Sequence, residues 1–396
     1  MSMKEAETII VGGGPAGSAC ARVLAGKGRD VLVLDKTTFP REKPCAGWVA
    51  GEIWEALGVA PEEYPYPLTR VHRLSVAWNR LSFTLPVRLL AVRRREFDHW
   101  LLSTSGAGVE THRVEQIREE GDGYVIDDQY RCRYLVGAGG TNCPVAKSLF
   151  KGIHPRASSS LIVAIAEEVP ASLCWPRVET PDESSAPIDL PADSNPFTPS
   201  EPFRSSAADK NQLADSNPSA PCRLWFFFEG LPGYAWYLPK SGGTVNIGIG
   251  GKALAIRKDG RTLLEYWHRF LHHLEKIELL DPAVVKDSPV WDRPASHGYY
   301  LWEDRRVLQK GNAFLVGDAA GLATADMGEG IANAVRSGIL AARAITEDIP
   351  LPPKVEPSFT FMSRPRGSRS RGSRPFGLRQ WSEPWPVSWI IHRKYR

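Results

Sequence analysis

The chain has 396 residues, enough for two domains, and its 42% hydrophobic content is ordinary for a globular protein in water. No apolar run approaches the roughly 18–20 residues of a membrane span, and six scattered cysteines without a C-x-x-C pair argue against a zinc site or a disulfide framework. The formal charge of +4 does not mark a nucleic-acid binder, because residues 351–396 alone carry a net +8 and leave a slightly acidic body.

From the N-terminus, charged Lys4, Glu5 and Glu7 lead straight into the strand-like run Thr8–Val11. That is not the order of a secretory signal, so the reading is cytoplasmic. Ala16–Lys27 reads as a helix and Val31–Asp35 as a second apolar strand. Arg70–Leu85 alternates with period two, as a hairpin strand pair would. Residues 171–222 hold nine Pro and nine Ser and repeat Ala-Asp-Ser-Asn-Pro at 192–196 and 214–218. Such a stretch buries too little apolar area to offset its chain entropy and reads as a disordered insertion.

Three strand-like runs follow, Leu224–Phe228, Tyr237–Pro239 and Thr244–Gly250. A helix over Thr262–Leu280 turns Trp267, Leu271, Leu274 and Ile277 to the core. His268 and His272 are four apart on it, but they lack a third ligand and read as a solvated face; no metal site is expected. Residues 351–396 read as a disordered basic tail, because Pro384 and Pro386 break the helical spacing of Trp381, Trp385 and Trp389.

Two motifs carry the chemistry. In Gly12-Gly13-Gly14-Pro15-Ala16-Gly17 a strand runs through G-x-G-x-x-G into a helix. Gly12 makes the turn, Gly14 admits a pyrophosphate, and Gly17 lets helix and strand pack closely. The helix N-terminus, with Pro15 and Ala16 in its first turn, presents unpaired N–H groups and about half a positive charge to that diphosphate. Asp35, ending the next strand ahead of Lys36, is placed to accept from a ribose with a free 2′-hydroxyl. FAD is separated from NAD by the second motif. Asn312–Gly321 is a strand ending in Gly317-Asp318, and Met327-Gly328-Glu329-Gly330-Ile331 opens a helix near Gly328. Asp318 can bond ribityl hydroxyls, and the helix N-terminus faces the edge of the flavin that gains negative charge on reduction.

These residues resemble the geranylgeranyl reductase family of FAD-dependent oxidoreductases, within a superfamily that includes para-hydroxybenzoate hydroxylase-type monooxygenases. The resemblance spans roughly residues 6–345. It rests on the two motifs, Lys43-Pro44-Cys45-Ala46-Gly47, Arg94 with Phe97-Asp98, the Gly137–Gly140 turn, and Tyr234-Ala235-Trp236-Tyr237-Leu238-Pro239 followed by Gly248-Ile249-Gly250. It implies that Cys45, Ala46, Gly47, Arg94 and Gly139 lie at the cofactor, with Cys45 as a candidate proton donor. It also implies that Tyr234, Trp236, Tyr237, Pro239, Gly248 and Gly250 line an apolar substrate cavity. The monooxygenases' Gly-Ala-Asp-Gly reads Gly137-Ala138-Gly139-Gly140 here, and the missing acid weighs against hydroxylation.

The resulting expectation is an α/β protein with a Rossmann-type FAD-binding domain (1–68, 94–150 and 290–350) and a second, mainly antiparallel β-sheet substrate domain (69–93 and 151–289). The expected activity is reduction of C=C bonds in an apolar, isoprenoid-type substrate by hydride from flavin N5. NAD(P)H or a reduced protein donor would supply the electrons. A flavin monooxygenase and a flavin-binding protein without turnover are the alternatives, and peripheral membrane contact fits an apolar substrate.

Overall fold

A computed structural model describes residues 3–78, 81–174, 222–281, 289–303, 307–325 and 327–351. Thr8–Val11 forms the inner half of the strand Lys4–Val11, and Thr8, Ile9 and Ile10 are fully buried, as the middle of a parallel sheet requires. This strand pairs in parallel with Val31–Asp35 on one side and with Tyr130–Gly137 on the other. Gly108–Thr111 extends the sheet beyond the first neighbour and Ala313–Leu315 beyond the second. With helices Pro15–Gly26 and Ile331–Glu347 packed on it, this is a Rossmann-type unit.

The second sheet has eight strands in the spatial order Ser296–Tyr300, Leu161–Pro170, Thr244–Lys252, Gly233–Lys240, Cys222–Phe226, Thr69–Trp78, Leu81–Ala91, Trp48–Val49. All neighbours are antiparallel except Cys222–Phe226, which runs parallel to Thr69–Trp78. Trp48–Val49 and Ser296–Tyr300 belong to this sheet, although the sequence placed both with the FAD domain. The Rossmann unit therefore lends a short strand to each edge of its neighbour.

One face of the second sheet, with Ala235, Tyr237, Ile247 and Ile249, packs on helix Leu263–Lys276 through Tyr266, Trp267, Phe270, Leu271 and Leu274. Thr262 caps that helix in a reciprocal box with Glu265. His268 is not on a solvated face: its ring stacks at 4.6 Å on Trp291, and Nε2 lies 3.0 Å from the Trp291 carbonyl. The amphipathic period could not reveal Trp291, because it comes from a later segment.

Most of the Pro/Ser-rich stretch, 175–221, lies outside the described residues, but its expected boundaries were too wide. Ala171 and Cys174 are buried in the helix-covered core, and Cys222 begins a strand at 5% exposure. The tail 352–396 likewise lies outside them; Leu351, just before it, donates its amide to Gln309 Oε1.

The two halves of the Rossmann unit meet where helix Pro15–Gly26 packs on helix Ile331–Glu347. A Cβ added to Gly338 would lie 2.1 Å from the Ala16 carbonyl oxygen, so only glycine lets the helices approach this closely. Gly338→Val should therefore lower the free energy of unfolding by at least about 2 kcal/mol, measured by urea denaturation. Unchanged stability would show that the helices can part without cost.

Candidate functional site

The glycine loop is built so that its own chain fills two positions and leaves a third open. Gly12 has φ of +112°, and a Cβ on Gly17 would lie 1.9 Å from the Gly12 oxygen. At Gly14 a Cβ would meet only Arg41 Nη2, at 3.5 Å. No side chain caps helix Pro15–Gly26, and no acid sits in its first turn. The first-turn amides are therefore left without a side-chain partner on the helix itself.

Asp35 holds the loop in place. Its Oδ2 accepts the Gly13 N–H at 2.8 Å, and its Oδ1 accepts from Thr37 N and Oγ1. Lys36 beside it is exposed.

Cations gather on the open side. Arg94 makes a bidentate pair with buried Asp98, both contacts at 2.7 Å, and Arg41 Nη2 lies 3.4 Å from the same carboxylate. Two guanidiniums against one carboxylate leave a net positive charge beside Gly14. Arg41 escaped the sequence reading, although it stands six residues after Asp35 in the loop leaving that strand.

The second motif abuts the first. Gly317 is wedged between the helices, where a Cβ would lie 2.9 Å from Ala16 Cβ and 3.3 Å from Ala334 Cβ. The helix opens at Ile331 rather than near Gly328, with Gly330 as its cap residue and no acid in its first turn.

Asp318 accepts from His297 Nε2 at 3.2 Å, and His297 comes from the second sheet. Burial opposes its ionisation, but the bond from His297 and the nearby cations Lys43 and Arg94 prevail and hold its carboxyl at about 2. Burial pulls the Lys43 ammonium down to about 8, with Asp318 opposing that fall. Neither His297 nor the role of Lys43 was read from the sequence, because their partner lies some 20 and 275 residues away.

Arg156 ties the two turns together. It donates to the carbonyls of Thr141, next to Gly139 and Gly140, and of Ala319, next to Asp318. Cys45 sits half-buried with its Sγ accepting from the Gly47 N–H at 3.3 Å, and Ala46 packs toward the sheet beside it.

The face of the second sheet turned away from its helix carries the groove. Asn246, 2% exposed, uses both ends of its amide: Oδ1 accepts from Trp236 Nε1 at 2.7 Å, and Nδ2 donates to the Cys45 carbonyl at 3.1 Å. The loop that carries Cys45 is thus bonded to the wall of the groove. Tyr234 OH donates to the Met327 carbonyl at 2.6 Å. The groove encloses about 580 Å3, counting the part open to solvent, among Tyr234, Trp236, Gly250, Tyr299, Met327 and Gly328. Phe226 and Phe227 extend its wall, and Ile162 and Ala164 add to it.

Three expected substrate residues are placed differently. Strand alternation turns Tyr237 to the opposite face, where it is 1% exposed against the helix-covered core, and Pro239 shares its parity. Gly248 lies beneath the Trp236 ring, 2.1 Å from where its Cβ would be, so it seats the indole and does not line the groove. The six-residue signature divides between two faces that a linear motif cannot separate.

This arrangement is that of a Rossmann-type flavoprotein oxidoreductase with a covering β-sheet. Residues 10–40 match the NAD(P)-binding Rossmann-like domain. Digeranylgeranylglycerophospholipid reductase 3 of Methanosphaera stadtmanae is 24% identical over 371 residues, covering 88% of this chain and 79% of that protein. The menaquinone reductase of Mycolicibacterium smegmatis is 27% identical over 363 residues, covering 86% and 76%. A geranylgeranyl bacteriochlorophyll reductase-like structure from Thermoplasma acidophilum superposes with a TM-score of 0.61 at 19% identity, covering 88% and 80%. A flavin-dependent brominase shares the fold at 0.56 and 20%, covering 87% and 80%. Over most of its length the chain is similar to FAD-dependent oxidoreductases, geranylgeranyl-reductase-like proteins among them. Among the described residues no helix is long and apolar enough to cross a membrane, and no group of His, Cys, Asp and Glu could hold a metal ion.

Gly14→Val should fold with near wild-type stability yet purify without FAD, because its Cβ meets only the end of the Arg41 side chain at van der Waals distance in the protein but a diphosphate in the complex. Full FAD content, read from absorbance, would contradict the loop's assignment. The Asp318 carboxyl is held below its ordinary value, so its contribution is complete above pH about 4 and lost as pH falls toward about 2. In the apoprotein, Asp318→Asn should cost about 2 kcal/mol near neutral pH, a difference that shrinks below pH about 4. A difference independent of pH would show that the charge contributes nothing.

Proposed function

We propose that the chain binds FAD between the two helix N-termini and reduces a carbon–carbon double bond in an apolar, isoprenoid-type substrate. The observation that carries this reading is the groove: an aromatic and aliphatic wall that includes Met327 and Gly328 of the second cofactor motif, with Tyr299. The residues fit the cofactor's chemistry. The uncapped amides after Gly14, with Arg41 beside them, suit a diphosphate. Asp318 suits hydroxyl donors, and the uncapped N-terminus at Ile331 suits an edge that becomes negative.

Bound FAD would supply hydride at a carbon too inert for any side chain to reduce. The protein's part is to bind, orient and hold a proton. Trp236, fixed by Asn246, sets the wall against which a planar alkene lies. Burial pushes the Tyr299 phenol up, and the nearby Asp318 carboxylate adds to this, so its hydroxyl stays protonated in the wall of the groove. Cys45 reaches the same region and is the alternative proton source. Electrons would come from NAD(P)H or a reduced protein donor, and an apolar substrate would bring the protein to a membrane surface peripherally.

Gly139, where the monooxygenases carry an acid, favours reduction over hydroxylation, although the fold itself is shared with a flavin-dependent brominase. The test is product mass from the FAD-loaded protein supplied with reductant and polyprenyl compounds. A product heavier by two hydrogens, with Trp236→Ala reducing turnover about tenfold or more while FAD content holds, is the expected result. A product heavier by one oxygen, formed as O2 is consumed, would replace this reading with hydroxylation.

A further inference from the structure

The carboxylate of the second cofactor motif is held from the neighbouring sheet as well as from its own domain. Asp318 accepts from His297 Nε2 at 3.2 Å, and His297 belongs to Ser296–Tyr300, the edge strand of the second sheet. An ionised carboxylate can only accept, and its neighbours hold the Asp318 carboxyl at about 2. In the neutral imidazole the ring proton therefore sits on Nε2, and Nδ1 keeps a free lone pair. The His297 side chain is 22% exposed, which leaves a path for a proton from solvent. On its other side the ring stacks at 6.0 Å on Tyr299, in the wall of the groove.

The other charged groups gathered here have little room to respond near neutral pH. Arg94 is paired with Asp98, and Arg41 approaches the same carboxylate. Arg156, bonded to the Ala319 carbonyl, lies over the Tyr300 ring, and guanidiniums do not lose their charge. Lys43, pulled down to about 8 by burial, is still mostly an ammonium at pH 7. Cys45, on the same loop as Lys43, is engaged by the Gly47 N–H. Burial pushes the Tyr299 phenol up, so it stays neutral. Ala164, which pairs with His297 from the neighbouring strand, brings no titratable group. An imidazole is the side chain whose ordinary range spans neutral pH.

We propose that His297 takes up a proton at Nδ1 when bound FAD is reduced, so that an imidazolium faces the second motif while the cofactor is anionic. Two electrons and one proton, delivered as hydride from a nicotinamide C–H bond, form one bond at flavin N5 and leave one negative charge. One further proton, from solvent, goes to Nδ1, and the local charge is unchanged. His297 acts through Asp318 and through charge, so it is a positioning residue and not a catalytic one. This rests on the FAD-binding part of the reading above and not on the identity of the substrate.

NMR of protein carrying 15N-labelled histidine reads the ring directly, with His297→Gln assigning its signals. In the FAD-loaded wild type, His297 should titrate at a higher pH after dithionite reduction than before, by about one unit or more, as a new opposite charge nearby requires. The nitrogen shifts should place the added proton on Nδ1. Across that interval the reduction potential of the wild type should fall with pH more steeply than that of His297→Gln, by one proton per two electrons. The wild-type titration decides even where the variant fails to hold FAD. Equal titration in the two states, or equal pH slopes for wild type and variant, overturns the proposal and leaves FAD binding and alkene reduction standing. A wild type that takes up no FAD overturns the FAD-binding reading and the proposal with it.

Discussion

The close contact between helix Pro15–Gly26 and helix Ile331–Glu347 is the constraint on which the site depends. Gly338 sits under the Ala16 carbonyl, and Gly317 sits between Ala16 and Ala334. Because neither glycine carries a side chain, two segments some 300 residues apart present their helix N-termini to one space. Each terminus alone is a weak attractor of negative charge, worth well under a few kcal/mol. Together they match a ligand that is anionic at its diphosphate and becomes anionic again at its redox-active edge. The Arg41–Asp98–Arg94 cluster and the Arg156 bridge hold the loops that complete this space.

The second sheet depends on this placement in turn. It reaches the Rossmann unit through individual polar contacts: Asn246 to Cys45, Tyr234 to Met327 and His297 to Asp318. Deeper along the seam, Lys240 binds Glu168 and the Val92 carbonyl, and Arg93 joins Glu168 from the other side. These contacts leave a groove because the sheet carries Gly250 and Ala164 where larger residues would fill it. They also orient the groove, since the same Asn246 fixes both Trp236 and the Cys45 loop. Binding energy for an apolar ligand and positioning at the cofactor motif therefore come from one set of residues.

Much of this was legible in the sequence where the physics is local. The glycine loop, the Asp35 strand end and the amphipathic face of Leu263–Lys276 each depend on neighbours within a few turns, and their spacing reveals them. What could not be read is set by register and return of the chain. Tyr237 and Trp236 look equivalent in a linear motif, yet they occupy opposite faces. Trp48–Val49 and Ser296–Tyr300 join the second sheet because their pairing partners lie far along the chain. Arg41, Asn246 and His297 act through distant partners and carry no periodic signal. The extent of the Pro/Ser-rich stretch was overdrawn for a related reason: composition averages over a window and misses single buried residues such as Cys174 and Cys222.

The central claim is that both motifs close on one cofactor. Amide hydrogen exchange of the apoprotein, with and without added FAD, tests it most directly. FAD should slow exchange together at residues 12–18, at 317–321 and at the first turn of helix Ile331–Glu347, whereas ADP should protect only the first of these. Protection confined to residues 12–18 with FAD as with ADP would contradict it, and would leave the second motif a structural turn with no part in binding.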